Sequence, residues 1–88
     1  MVHFECHVTL KPEKRELVEA LAKKHKFKVS SLVGDEVMGD DKLLYCTTHD
    51  ADFQRISDRT TNLLYDLRYE NLTVLRKKIE QILVDERY

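Results

Sequence analysis

The sequence predicts a ferredoxin-like α+β sandwich, a four-stranded antiparallel sheet in the order 4-1-3-2 with two helices on one face. Three observations lead there. Residues 2–10 alternate strictly between polar and apolar side chains, as a half-buried strand does. Two later stretches, about 12–25 and about 50–69, carry apolar residues at helical spacing. Strand-like runs separate and follow them in the order β-α-β-β-α-β, which is the split βαβ pattern. Right-handed crossovers in both halves put the two helices on the same side.

In "VHFECHVTL", Phe4, Cys6, Val8 and Leu10 form one face, and His3, Glu5, His7 and Thr9 the other. Pro12 suits the first turn of a helix, and Glu13 and Glu16 favour its positive end. Leu17, Val18 and Leu21 form an inward stripe, and Lys23, Lys24 and Lys26 complement the negative end, where His25 also reads as a cation. The spacing predicts a helix over about 12–25. A second strand is expected over 27–33, with Phe27, Val29 and Val33 on one parity. "GDEVMGDD", residues 34–41, holds both glycines and four acids and reads as a hairpin connection.

The third strand is expected over 42–49, with Leu44 and Cys46 inward and Tyr45, Thr47 and His49 outward, or the reverse. Asp50 is expected to cap a helix in which Phe53, Ile56, Leu63, Leu64 and Leu67 recur as far as about Tyr69. "LTVLRKK" reads as the fourth strand. The tail from Ile79 suits either a short terminal helix or a prolonged strand.

Eighty-eight residues suffice for a single domain over 1–88. The apolar share of 42% fits a soluble domain, and no run reaches the ~20 residues of a membrane span. Met1 leads straight into a strand pattern with no signal segment, so a cytoplasmic location is expected. A net charge of −1 argues against a dedicated nucleic-acid binder. Charge is nonetheless uneven: residues 11–28 are rich in Lys and Arg and 35–41 in acids, local fields able to steer a partner. Cys6 and Cys46 lack any zinc spacing and fall on apolar parities. They read as buried, reduced thiols, with a cross-strand disulfide as the alternative.

With the first strand central, its polar row faces the open side of the sheet. One face of such a sheet is half polar by default, because helices cover only the other. The open face can also collect Tyr45, Thr47 and His49 from the third strand. The fourth strand offers Thr73 and Lys77 on one parity and Arg76 and Lys78 on the other. The expected ligand-binding set is Glu5, His7, Thr9, Tyr45, Thr47, Arg76, Lys77 and Lys78. No metal site or cofactor is expected. His3 and His7 stand ~13 Å apart on a strand, too far to grip one ion. The acidic hairpin lacks the ligand spacing of a calcium loop.

"HVTL", residues 7–10, resembles the His-apolar-Thr/Ser-apolar motif of the two-histidine phosphoesterases. That resemblance implies a phosphoesterase in which His7 supplies acid–base chemistry and Thr9 binds a phosphoryl oxygen. Those enzymes use two such motifs, and this chain has one, because "TTHD" places His49 after its threonines. A homodimer would bring two His7–Thr9 pairs together. More broadly, "FECHVTL", "LAKKHKFKVSSL" and "VLRKKIE" are similar to small stand-alone proteins of bacteria and phages, with a His-Ile/Val-Thr strand and a closing basic Lys-Ile-Glu segment. That resemblance groups His7, Thr9, Lys78 and Glu80, implies a bacterial or phage accessory protein, and implies no activity.

The leading expectation is a small binding or regulatory protein, a homodimer or larger homo-oligomer, holding an anionic ligand such as a nucleotide on its open face. The alternatives are the phosphoesterase and a protein–protein adaptor without ligand.

Overall fold

The structure is a computed structural model and describes residues 2–31 and 43–83. Its elements are β1 (Val2–Leu10), α1 (Arg15–Lys24), β2 (Lys28–Ser31), β3 (Leu44–Asp50), α2 (Phe53–Tyr69) and β4 (Val74–Leu83). The strands form one antiparallel sheet in the order β2-β3-β1-β4, the ferredoxin-like order expected, read from the other edge. The acidic connection at 34–41, the far ends of strands two and three, and residues 84–88 lie outside the described residues.

The alternation of β1 translates directly into burial. Cys6, Val8 and Leu10 are fully buried, whereas His3, Glu5, His7 and Thr9 stay partly exposed on the other face. On β3, Leu44, Cys46 and Thr48 point into the core, which selects the first of the two parities open from sequence. Ile56, Leu63, Leu64 and Leu67 of α2 and Val18 and Ala22 of α1 close the core from the helical side. Each large aliphatic side chain buried there contributes about 1.5–3 kcal/mol. Phe53, expected in the helical stripe, is half exposed and instead meets Phe4 edge-on at 5.4 Å.

α1 begins at Arg15 rather than near Pro12, because Lys14 takes a left-handed conformation (φ 45°) and breaks the helical path. Both helices then end in the same way. Lys26 (φ 64°) follows α1, with Phe27 N–H donating to the Ala22 carbonyl at 2.8 Å and Lys26 N–H to the Lys23 carbonyl at 3.1 Å. Asn71 (φ 59°) follows α2, with Leu72 N–H donating to Leu67 and Asn71 N–H to Arg68, both at 3.0 Å. These are two Schellman closures, and each inserts a buried side chain, Phe27 or Leu72, beneath the helix end. His25 joins Asp66 of α2 at 2.6 Å, so this histidine ties the helices together as well as standing at a helix terminus.

Asp50 does not cap α2. Its carboxylate accepts from Asp52 N–H at 2.8 Å, and the capping acceptor is Asp52, bonded to Arg55 N–H at 3.1 Å. In "HDAD" both acids are cap formers, and the helix starts after the second. Asp50 instead anchors Arg59 (2.7 Å) and Arg55 (3.1 Å), and the Asp52 N–H, ahead of these two guanidiniums, holds its carboxyl down at about 2.

The tail continues β4 to Leu83, so its prolonged-strand reading is the one observed over those residues. Between Thr9 and Leu10 the pairing skips one β4 residue: Thr9 faces Arg76, and Leu10 faces Val74. Leu75 is the extra residue of a β-bulge and is 43% exposed. Both cysteines are free and buried. Cys6 faces Thr48 and Cys46 faces Val8, a diagonal arrangement, and burial pushes the Cys46 thiol up to about 12.

Candidate functional site

The open face is built in cross-strand rows. Lys28 of β2, Thr47 of β3, His7 of β1 and Lys78 of β4 lie side by side. The next row is Ser30, Tyr45, Thr9 and Arg76, and on the other side His49, Glu5 and Glu80 line up. Neighbouring strands are ~4.8 Å apart, so each row places its side chains within mutual reach.

Glu5 is the hub. Its Oε1 contacts His7 Nε2, and its Oε2 stands 3.6 Å from His49 Nδ1. The same His49 nitrogen lies 3.2 Å from His3 Nε2, and the two rings stack with centroids 5.3 Å apart. A hydrogen bond between two ring nitrogens requires one to accept, so one of these two imidazoles is neutral while the contact holds. On its other side, His7 Nδ1 is 3.1 Å from Thr47 Oγ1. His3, His49, Glu5, His7 and Thr47 therefore form one continuous polar chain.

The cations flank this chain. Lys78 Nζ pairs with Glu80 at 2.8 Å, which holds the Glu80 carboxyl below the usual range, with Arg76 adding a smaller attraction. A hollow of about 240 Å³ is lined by His7, Thr9, Tyr45, Arg76, Lys78 and Glu80. A second, about 330 Å³, opens toward β2 and is lined by Lys26, Lys28, Thr47, Thr48, His49 and Arg59. The Thr47–His7 contact separates the two. A larger hollow, about 490 Å³, lies on the helical side against Thr61, Leu64, Tyr65, Arg68, Tyr69 and Lys77, away from the histidines.

The structure thus gathers seven of the eight residues expected from sequence, namely Glu5, His7, Thr9, Tyr45, Thr47, Arg76 and Lys78. Lys77 lies apart. It faces Val8 in register and turns toward α2, because neighbours on a strand point to opposite faces. Lys28, Glu80 and His49 also stand on this face and were outside the expected set. Lys28 could have been found from its alternation with Val29, and Glu80 from its parity with Lys78 had the tail been read as strand. His49 was visible on the third strand, but its link to Glu5 depends on register. Among the described residues no three metal-ligating side chains are grouped to hold an ion, and no helix is long and apolar enough to cross a membrane.

No protein-family model and no curated protein matches the chain. Solved structures do. CPII of Thiomonas intermedia K12, in a structure with ADP, AMP and acetate, superposes with a TM-score of 0.55 at 14% identity over 97% of this chain and 90% of that one. A candidate antibiotic biosynthesis monooxygenase of Chloroflexus aurantiacus J-10-fl gives 0.59 at 6% identity over 97% of each chain. The de novo designed protein Foldit4 gives 0.51 at 10% identity over 96% of this chain and 98% of that one. At such identities the likeness is one of architecture, and the chain has a ferredoxin-like fold.

Proposed function

We propose that this protein binds a small anionic ligand, with a nucleotide phosphate the best fit, on the open face of its sheet. The observation that carries the reading is the 240 Å³ hollow, where Arg76 and Lys78 meet the hydroxyl of Thr9, the imidazole of His7 and Tyr45. A guanidinium, an ammonium and a hydroxyl converging on one concavity are the groups that bind phosphoryl oxygens. The Thiomonas protein, bound to ADP and AMP, supports the reading in one respect: a sheet sandwich of this architecture accommodates a nucleotide. The protein acts in the cytoplasm as a homo-oligomer. β4, ten residues long and at the edge of the sheet, offers a second copy its outer side.

The test is thermal stabilisation by a panel of adenine and guanine nucleotides. At a hundredfold excess over Kd a ligand adds ~2.7 kcal/mol, on the order of 10–20 °C for a domain of this size. Arg76→Ala and Lys78→Ala remove the shift, and Lys77→Ala, on the opposite face, keeps it. No shift with any nucleotide overturns the reading in favour of an adaptor whose open face meets another protein.

A second reading, phosphodiester cleavage by two histidines, has one observation in its favour. His7 and His49 engage the same carboxylate, so a second imidazole stands near His7 within one chain. In that reading the second imidazole comes from the same chain, beside the alternative of His7–Thr9 pairs brought together by a dimer.

A further inference from the structure

We infer that Thr47, His7 and Glu5 form a hydroxyl–imidazole–carboxylate relay, and that Thr47 is the nucleophile of a phosphoryl transfer from phosphomonoesters. The inference rests on the anion-binding reading of the open face and adds a chemical step to it.

The proton positions follow from the contacts. A carboxylate only accepts hydrogen bonds, so His7 Nε2, in contact with Glu5 Oε1, carries the ring proton. Nδ1 of the neutral imidazole is then an acceptor, and the group 3.1 Å from it is the Thr47 hydroxyl, which donates. A base is therefore aimed at a hydroxyl and oriented from behind by a carboxylate, the arrangement that activates Ser and Thr for covalent catalysis. His7 is held from both ring nitrogens, and Thr47 is partly exposed to the open face.

The charge around this pair fits a phosphoryl group. Lys28 stands beside Thr47 in register, and Lys78 beside His7. One ammonium thus lies on either side of the nucleophile–base pair, in the row Lys28–Thr47–His7–Lys78, with hollows opening to both sides of it. Cations so placed stabilise the charge that spreads over the equatorial oxygens during transfer.

In the first half-reaction Thr47 Oγ1 attacks phosphorus, and its proton passes to His7 Nδ1. The Oγ1–P bond forms as the bond from phosphorus to the leaving oxygen breaks. Glu5 offsets the imidazolium charge, and the leaving alkoxide, in line on the far side of phosphorus, takes a proton from solvent water. In the second, a water attacks the phosphothreonine from that far side and gives its proton to the hydroxide left in solvent by the first. The Oγ1–P bond breaks, inorganic phosphate leaves, and His7 returns its proton to Thr47 Oγ1.

The experiment uses p-nitrophenyl phosphate with the full chain, following nitrophenol release and the intact mass of acid-quenched protein. The wild type is expected to release nitrophenol and to carry one phosphoryl group on Thr47. Thr47→Val and His7→Gln should lose about 10²–10⁴-fold in turnover, and Glu5→Gln a hundredfold or more. Thr47→Ser, which keeps the hydroxyl, should stay within about tenfold of wild type. Nucleotide-induced thermal stabilisation, read on the same variants, reports whether they fold and whether the anion site survives. A wild type that binds nucleotide but releases no nitrophenol overturns the relay while leaving the binding reading intact. Full turnover in Thr47→Val, or a phosphoryl group found elsewhere, overturns Thr47 as nucleophile.

Discussion

Glu5 and His49 face each other directly across β1 and β3, and Glu5 divides its two oxygens between His49 and His7. One carboxylate thereby orients two imidazoles. Replacing it with the isosteric amide in Glu5→Gln removes the acceptor-only partner of His7 Nε2. Ring ¹⁵N chemical shifts are expected to show His7 protonated at Nε2 in the wild type and as a mixture of tautomers in the variant. The Thr47 contact should weaken with it. An unchanged His7 tautomer in Glu5→Gln would contradict this picture of the hub.

Acid should weaken the corner where β3 enters α2. The Asp50 carboxyl is held at about 2 by the Asp52 N–H and by Arg55 and Arg59, below the ~3.9 of a free aspartate. A depressed folded-state value stabilises the protein above the unfolded value, and that contribution disappears as pH falls through the folded one. Urea midpoints are therefore expected to fall between about pH 4 and pH 2. In Asp50→Asn the fall should be shallower, starting from a lower plateau. Asp66, drawn down by His25 and Lys24, adds to the residual slope in the variant.

The two Schellman closures differ in one respect that stability can read. Asn71 belongs to a residue type that tolerates left-handed backbone, while Lys26 bears the penalty of its Cβ. Lys26→Gly is expected to raise stability by about 0.5–1 kcal/mol, and Asn71→Gly to change it by only a few tenths. Chemical denaturation of the two variants side by side checks the ordering, and an equal effect at both positions would contradict it.

The fold was legible because hydrophobic period is a local property. The alternation of "HFECHVTL" placed Cys6, Val8 and Leu10 inside, and the six elements left little freedom of order. The candidate site was legible as a face but not as a set of contacts. Which residue stands opposite His7 depends on strand register, set by packing across the sheet, and only that register brings Thr47 and Lys78 to it. Strand four shows the same limit. Three consecutive cations, Arg76, Lys77 and Lys78, must alternate, but the sequence does not say which parity faces outward. The cap of α2 was misplaced because Asp50 and Asp52 compete on equal local terms, and the anchoring of Asp50 by Arg59 is a tertiary contact.

Leu75 carries a consequence for how this protein can change. Were the strand regular, without the bulge, Val74 and Arg76 would share a parity, and so a face. With it, Val74 packs against the core while Arg76 joins Thr9 on the far side. The ladder runs as if Val74 and Arg76 were neighbours, with Leu75 set outside it. Substitutions at Arg76, Lys78 or Glu80 change the open face while the interior stays as it is. Deletion of Leu75 would return the strand to a plain ladder with Val74 still inward and Arg76 still outward, so this position absorbs a change of length that elsewhere in the paired strand would turn one face over.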